Sequence, residues 1–149
     1  MGFYNSTDIS ASGLSAERLA MDVIANNIAN ANTTRTPQGG AFKRQLVIFA
    51  QKDGAAAEGT DPFDPTATPQ ASVEGVSALG IVDDPSPDRL VFEPGNPDAD
   101  ARGYVHYPNV QIVKEMVDMM AASRGYEANV AAITETRNMS GAVVNLLRS

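Results

Sequence analysis

The chain has 149 residues, a net charge of −7, no cysteine, no tryptophan and only 6% aromatic residues, and its apolar total leans on alanine. That composition excludes disulfides and thiolate metal sites, argues against a large compact core, and disfavours nucleic acid or an anionic membrane surface as the main partner. The charge is uneven: residues 1–34 carry −2, residues 35–108 carry −5, and residues 109–149 balance to zero.

The start, Met1-Gly2-Phe3-Tyr4-Asn5-Ser6, has neither the basic residues nor the apolar run of a secretory signal. No stretch approaches the roughly 18 consecutive apolar residues of a membrane span, so neither a cleaved leader nor direct membrane insertion is expected. From about Asp8 to Asn32 a helical pattern runs, with Leu14, Met21 and Ile28 spaced by seven and Ile24 and Ala31 beside them. Half a turn round lie Ala16, Leu19 and Val23, so the apolar surface is wider than one partner helix covers. The helix ends in an asparagine cluster, with Asn26, Asn27, Asn30 and Asn32 within seven residues. Asparagine is a poor helix former because its amide competes with the backbone. These amides either clamp the following loop or a neighbouring subunit, or form a solvated face that Asn32 terminates.

Residues 35–41, Arg-Thr-Pro-Gln-Gly-Gly-Ala, read as a turn-rich break. Residues 42–49 read as a strand with Leu46 to Phe49 buried, Lys52 to Ala71 as a mobile loop, and Val73 to Val82 as a second strand. Asp83-Asp84-Pro85-Ser86-Pro87 should turn the chain into a short third strand, Arg89 to Phe92. Asn109, directly after Pro108, is placed to cap a helix that runs to the end. In that helix Ile112, Met119, Tyr126, Ile133 and Leu147 fall on one line of sevens, with Met116, Val130 and Val144 beside it. Gly125 and Gly141 should each weaken it by about 1 kcal/mol.

The expected fold is mainly α with a small β or extended insert. An N-terminal helix (1–34) and a C-terminal helix (109–149) pair as a coiled-coil-like hairpin around a β-rich middle (35–108), with a flexible loop at about 51–72. Two helices cannot bury all of this apolar surface, which points to helical assembly with neighbouring copies or relatives.

Catalytic chemistry has no support in the residues. His106 is the single histidine and lies between Tyr104 and Tyr107, where a packed or surface imidazole is the expected role. Asp98-Ala-Asp100-Ala-Arg102-Gly103 begins like a calcium loop but carries Arg102 at the fifth position and Asn109 at the twelfth. Phosphate-binding glycine loops and nucleophile settings are missing from the sequence, and Lys114 with Asp118 reads as a solvated pair. An enzyme, a cofactor and a metal site are therefore not expected.

Two stretches resemble the rod, hook and filament-junction proteins of the bacterial flagellar axis. Ala25-Asn-Asn-Ile-Ala-Asn-Ala-Asn-Thr33 is similar to that family's asparagine-rich N-terminal signature, and the run from Tyr104 through Asn109, Glu115 and Met116 to Arg124, Tyr126, Asn129 and Val130 is similar to its C-terminal one. With Phe92-Glu-Pro-Gly-Asn96-Pro-Asp98 just upstream in so short a chain, the likeness is to the proximal-rod members. Asn96 stands where the family usually has histidine, and Gly125 where alanine or serine is more common.

The resemblance implies a structural subunit that transmits torque in the basal-body rod across the periplasm, exported through the flagellar type III apparatus without cleavage. The implied partners are copies of itself, other rod proteins and the membrane-ring and export base. Leu14, Met21, Ile24 and Ile28, against Ile112, Met116, Met119, Tyr126, Val130 and Ile133, are the expected assembly seam. Asn26, Asn27, Asn30, Asn109, Glu115, Arg124 and Asn129 are the expected polar contacts. The rival readings are a free helical-hairpin export adaptor or chaperone, which should be well folded alone, and a cell-wall hydrolase, which would need a carboxylate pair in a cleft.

Overall fold

A computed structural model describes residues 2–53 and 73–146. Most of the expected 51–72 loop, and Leu147, lie outside the described residues. The elements in order are helix α1 (Gly2–Ala29), strands β1 (Gln45–Asp53), β2 (Val73–Asp83), β3 (Arg89–Phe92) and β4 (Tyr104–Tyr107), and helix α2 (Ile112–Leu146). The fold is two long helices with two small antiparallel hairpins, β1–β2 and β3–β4, between them.

Helix α1 begins six residues before the expected Asp8, in a segment of weak helix formers. Thr7 and Asp8 of this first stretch and Thr136 and Ser140 of α2 border a common cleft. The other end closes on its own asparagines. Asn26 O accepts both the backbone N–H of Asn30 (3.1 Å) and its side-chain amide (3.0 Å), and Thr33 N–H returns to Asn30 O (3.0 Å). These bonds satisfy carbonyls that a helix end otherwise leaves without partners.

The helices run antiparallel in a single register. A Cβ added at Gly13 would lie 2.9 Å from the Asn129 amide nitrogen, and one at Gly125 would lie 2.7 Å from a Glu17 carboxylate oxygen. Fourteen residues after Gly13, Asn27 donates to Glu115, fourteen residues before Asn129. Gly125, which the sequence marks as a weak point of the helix, is therefore a place of close approach, and Gly13 is another.

Close approach also decides which line of α2 faces α1. Met119, Tyr126 and Ile133 are half-buried, and the line beside them is Glu115, Ala122, Asn129 and Thr136. Ile112, Met116, Val130 and Val144 stay exposed, their bulk being incompatible with so short a separation. On α1 the most buried positions are Ala16, Val23 and Asn27, while Leu14, Met21, Ile24 and Ile28 are half-buried.

The β1–β2 ladder runs from Gln45↔Asp83 to Asp53↔Val73, with shifts after Ile48 and after Gln51. The first shift bulges Leu79, 70% exposed, out of β2. At the second, Gly75 takes φ +96° with its Cα hydrogen side against Ser12. Two expectations change here. The first strand starts at Gln45 instead of Phe42 and continues to Asp53, into the span expected as loop. Ile48 and Phe49 are exposed, not buried: they flank the register shift of a two-stranded sheet, which covers neither of its own faces.

Strand β3 has the expected bounds. Its partner β4, to which the sequence reading assigns no element, has Val105 pointing in between exposed neighbours, the alternation of a half-buried strand. Phe92 meets Tyr104 edge-to-face at 5.2 Å, and the Arg89 guanidinium lies over the Tyr107 ring at 5.2 Å. Asp98 and Asp100, weighed above as calcium ligands, serve the fold. Asp98 accepts from the Thr34 hydroxyl at 2.8 Å, and Asp100 accepts the N–H groups of Arg102 (2.8 Å) and Tyr104 (2.9 Å). The Tyr104 N–H is the main reason that the Asp100 carboxyl lies below its usual pKa range.

Candidate functional site: a polar junction of helices and insert

Where α1 turns away towards the insert and α2 begins, four segments meet through polar side chains. Asn27 is 1% exposed and uses its amide as a short piece of strand. Its Oδ1 accepts from Gln45 N–H (2.8 Å) while its Nδ2 donates to Gln45 O (2.9 Å) and to Glu115 Oε2 (3.0 Å). Glu115, 0% exposed, takes a charge-assisted bond at its other oxygen from Arg44 Nε at 2.6 Å.

The Arg44 guanidinium also lies 3.6 Å from Asp84 Oδ2 and 3.5 Å from Asp118 Oδ2. One cation thus ties the first turns of α2 to the end of β2. The Asp84 carboxyl is held below its usual range, first by the Ser86 side chain and N–H and then by Arg44.

Asn109 belongs to this junction and does not cap α2, which starts three residues later. Its Oδ1 accepts from Arg44 N–H at 3.0 Å and its Nδ2 donates to Ser86 O at 3.3 Å. The backbone of Arg44 has left the sheet ladder on one side, so a side chain must satisfy its N–H. Asn26 donates to Gln45 Oε1 at 2.9 Å, fastening the same strand from the next α1 position. A second fastening lies fifteen residues earlier on α1, where Ser12 Oγ accepts Val76 N–H at 3.0 Å. Among the described residues no buried side-chain nitrogen or oxygen lacks a partner.

Of the residues singled out from sequence, Asn26, Asn27, Asn109 and Glu115 come together here. Asn30 bonds within its own helix end, to Asn26 and Thr33. Asn129 donates to Gly125 O at 3.0 Å, under Gly13. Arg124 is exposed and forms no ion pair among the described residues. The arginine that meets a buried carboxylate within the chain is Arg44, in a stretch that the sequence assigns to a strand. Lys43-Arg44 carries no periodicity that separates the two, yet Arg44 turns inward while Lys43 pairs with Asp88 at the surface. Asp88 also lies 3.5 Å from Nδ1 of the half-exposed His106. Asp118, expected to pair with Lys114, faces Arg44 instead.

The arrangement offers no nucleophile or acid–base couple over a substrate cleft; every carboxylate at the junction faces Arg44 or a neutral donor. Its chemistry is that of a clamp. The family model for flagella basal body rod protein matches residues 8–35, which hold α1 from Asp8 onward and its asparagine end. The model for the flagellar basal body rod FlgEFG protein C-terminal region matches residues 101–146, which hold β4 and α2. Among curated relatives, the chain is 42% identical to flagellar basal-body rod protein FlgC of Borreliella burgdorferi over 99% of both chains. It is 40% identical to FlgC of Yersinia enterocolitica over 93% of both, and 38% identical to FlgC of Bacillus subtilis over 93% of this chain and 94% of the relative. Arg44 and Gln45 fall between the two matched segments and join them in space. With both helices and the full length accounted for, the chain belongs to the FlgC family of flagellar basal-body rod proteins.

Proposed function

We propose that the chain is a structural subunit of the proximal rod of the flagellar basal body, transmitting torque through packed helices and performing no catalysis. The observation that carries this is the identity of 42% along 99% of both chains to a rod protein of the same size. The physical side agrees: among the described residues the buried polar groups are consumed in holding α1, the hairpins and α2 to one another, which makes a stiff part. The partners are other rod proteins and copies of the chain, with the membrane-ring and export base at one end and the type III apparatus in transit. Its place is the periplasm-spanning rod, reached without cleavage.

The exposed apolar side chains on α2 and on the β1–β2 hairpin favour helices that pair in a coiled-coil manner and complete their packing on assembly. In that assembly Leu14, Met21, Ile24, Ile28, Met119, Tyr126 and Ile133 stiffen the chain from within, and Ile112, Met116 and Val130 are free to meet neighbours. The export-adaptor reading is not favoured. Deleting the gene and examining basal bodies by electron microscopy tests the reading: the expected result is an axis missing beyond the membrane rings, restored by the wild-type chain. Complete rods in the deletion strain would refute it.

A further inference from the structure

Each helix carries a second stripe, turned away from the intrachain contact and uncovered. On α1 it is Ala11, Ser15, Arg18, Asp22, Ala25 and Ala29, all exposed, at alternating intervals of four and three. On α2 it is Val113, Val117, Met120, Arg124, Glu127 and Ala131, exposed in the same rhythm. That spacing is the one which keeps a seam facing a partner helix. One stripe is small and the other begins with large side chains. Neither Arg18, Asp22, Arg124 nor Glu127 forms an ion pair among the described residues.

We infer that the α2 stripe of one copy seats on the α1 stripe of a second copy, antiparallel, with Arg124 against Asp22 and Glu127 against Arg18. The charges select the partner and the direction. Arg18 precedes Asp22 on α1, and Arg124 precedes Glu127 on α2, so a parallel alignment would set like charges together and only an antiparallel one pairs both. Asp22 is four residues from Arg18, and Glu127 is three from Arg124. At about 1.5 Å of rise per residue the two pairs form together with an offset of about 1.5 Å. The same register puts Met120 over Ala25 and Val117 over Ala29, large side chains on small ones, and brings Ala131 to Ser15. The face of α1 that contacts α2 within the chain is not used, so each copy keeps one free α1 stripe and one free α2 stripe. Such a contact is heterologous and extends from copy to copy instead of closing as a two-fold dimer. The inference rests on the reading of the chain as an assembling subunit and specifies its contact.

The chain has no cysteine, so engineered disulfides report the contact cleanly. Basal bodies are isolated from a deletion strain complemented with the full-length Ala29→Cys/Val117→Cys chain and treated with a mild oxidant. The expected product is a ladder of dimers and higher multimers, whereas co-expressed Ala29→Cys and Val117→Cys single variants stop at dimers. Basal bodies that contain the chain but give no ladder, or cross-links only to a different protein, overturn the inference and leave the rod reading intact. Absence of the wild-type chain from basal bodies would overturn the rod reading itself. A second arm needs no cysteine: Asp22→Arg and Arg124→Asp each lower incorporation about fivefold, and the double reversal restores it. A double variant no better than either single one overturns the pairing.

Discussion

The two ends of the helix pair are built differently. At the closed end Asn27, Arg44, Asn109 and Glu115 fill the space between the helices with hydrogen-bonded polar groups. At the open end Thr7 and Asp8 of α1 and Thr136, Arg137, Ser140, Val143 and Val144 of α2 border a cleft of 620 Å³. The α2 hydroxyls there turn back on their own helix: Thr136 bonds Ala132 O at 2.8 Å and Ser140 bonds Thr136 O at 2.9 Å. Such bonds add nothing between helices and slightly favour bending. One antiparallel pair thus has a locked end and a loose end, and its resistance to local opening should fall from the first to the second.

The strongest break of this contrast is Glu115→Ala. It leaves the Arg44 guanidinium, 11% exposed, without its closest counter-charge, and should cost about 3–5 kcal/mol, read as a large fall in the denaturant midpoint. Asp8→Ala at the open end should stay within about 0.5 kcal/mol. Equal losses at both positions would remove the distinction. Next comes Asn27→Ala, which deprives Gln45 N–H, Gln45 O and Glu115 of a partner at once. A loss of about 2–3 kcal/mol is expected, and hydrogen exchange at Gln45 should rise while that near Thr136 is unchanged.

The contrast is also a map of what could be read in advance. β3 was legible because Pro87 and Pro94 bound a short apolar run, and both helices were legible from periodicity over many turns. β4 was not, since four residues give an alternation too short to compete with the helix signal next to it. The intrachain line Glu115, Ala122, Asn129 and Thr136 was passed over because periodicity arguments follow large apolar residues. Here the backbones approach over Gly13 and Gly125, and the large residues Met116 and Val130 are turned outward. Arg44 depends on carboxylates forty and more residues away, a relation that only the folded chain creates. Asn27 was marked by the asparagine cluster and Glu115 by the family resemblance, whereas their mutual bond was marked by neither.

At the loose end the expected sign reverses. A Cβ at Gly141 meets nothing within 4 Å, so Gly141→Ala adds helix propensity without a clash and should stabilise by up to about 1 kcal/mol. Gly125→Ala offers the same propensity but pushes on the Glu17 carboxylate, and Gly13→Ala pushes on the shorter Asn129 side chain. The order of stability should therefore be Gly141→Ala above Gly125→Ala above Gly13→Ala, measured by thermal unfolding. If Gly13→Ala were the most stable of the three, the close approach would be wrong.

The smallest effect belongs to pH at the locked end. The Asp84 carboxyl has its pKa lowered by the Ser86 side chain and N–H, with Arg44 adding less and partial desolvation opposing. A lowered folded-state pKa means that the unfolded chain binds the proton more readily, so folding gains from the charged form above the ordinary carboxylate pKa of about 3.9. That gain is lost as the pH falls through the lowered value. Asp84→Asn keeps an acceptor for Ser86 and removes only the charge. Wild type should thus exceed Asp84→Asn by a constant margin from neutral pH down to about pH 5, and the margin should close on further acidification. A margin that widened towards low pH would mean that Asp84 destabilises the junction, and that Arg44 is satisfied by Glu115 and Asp118 alone.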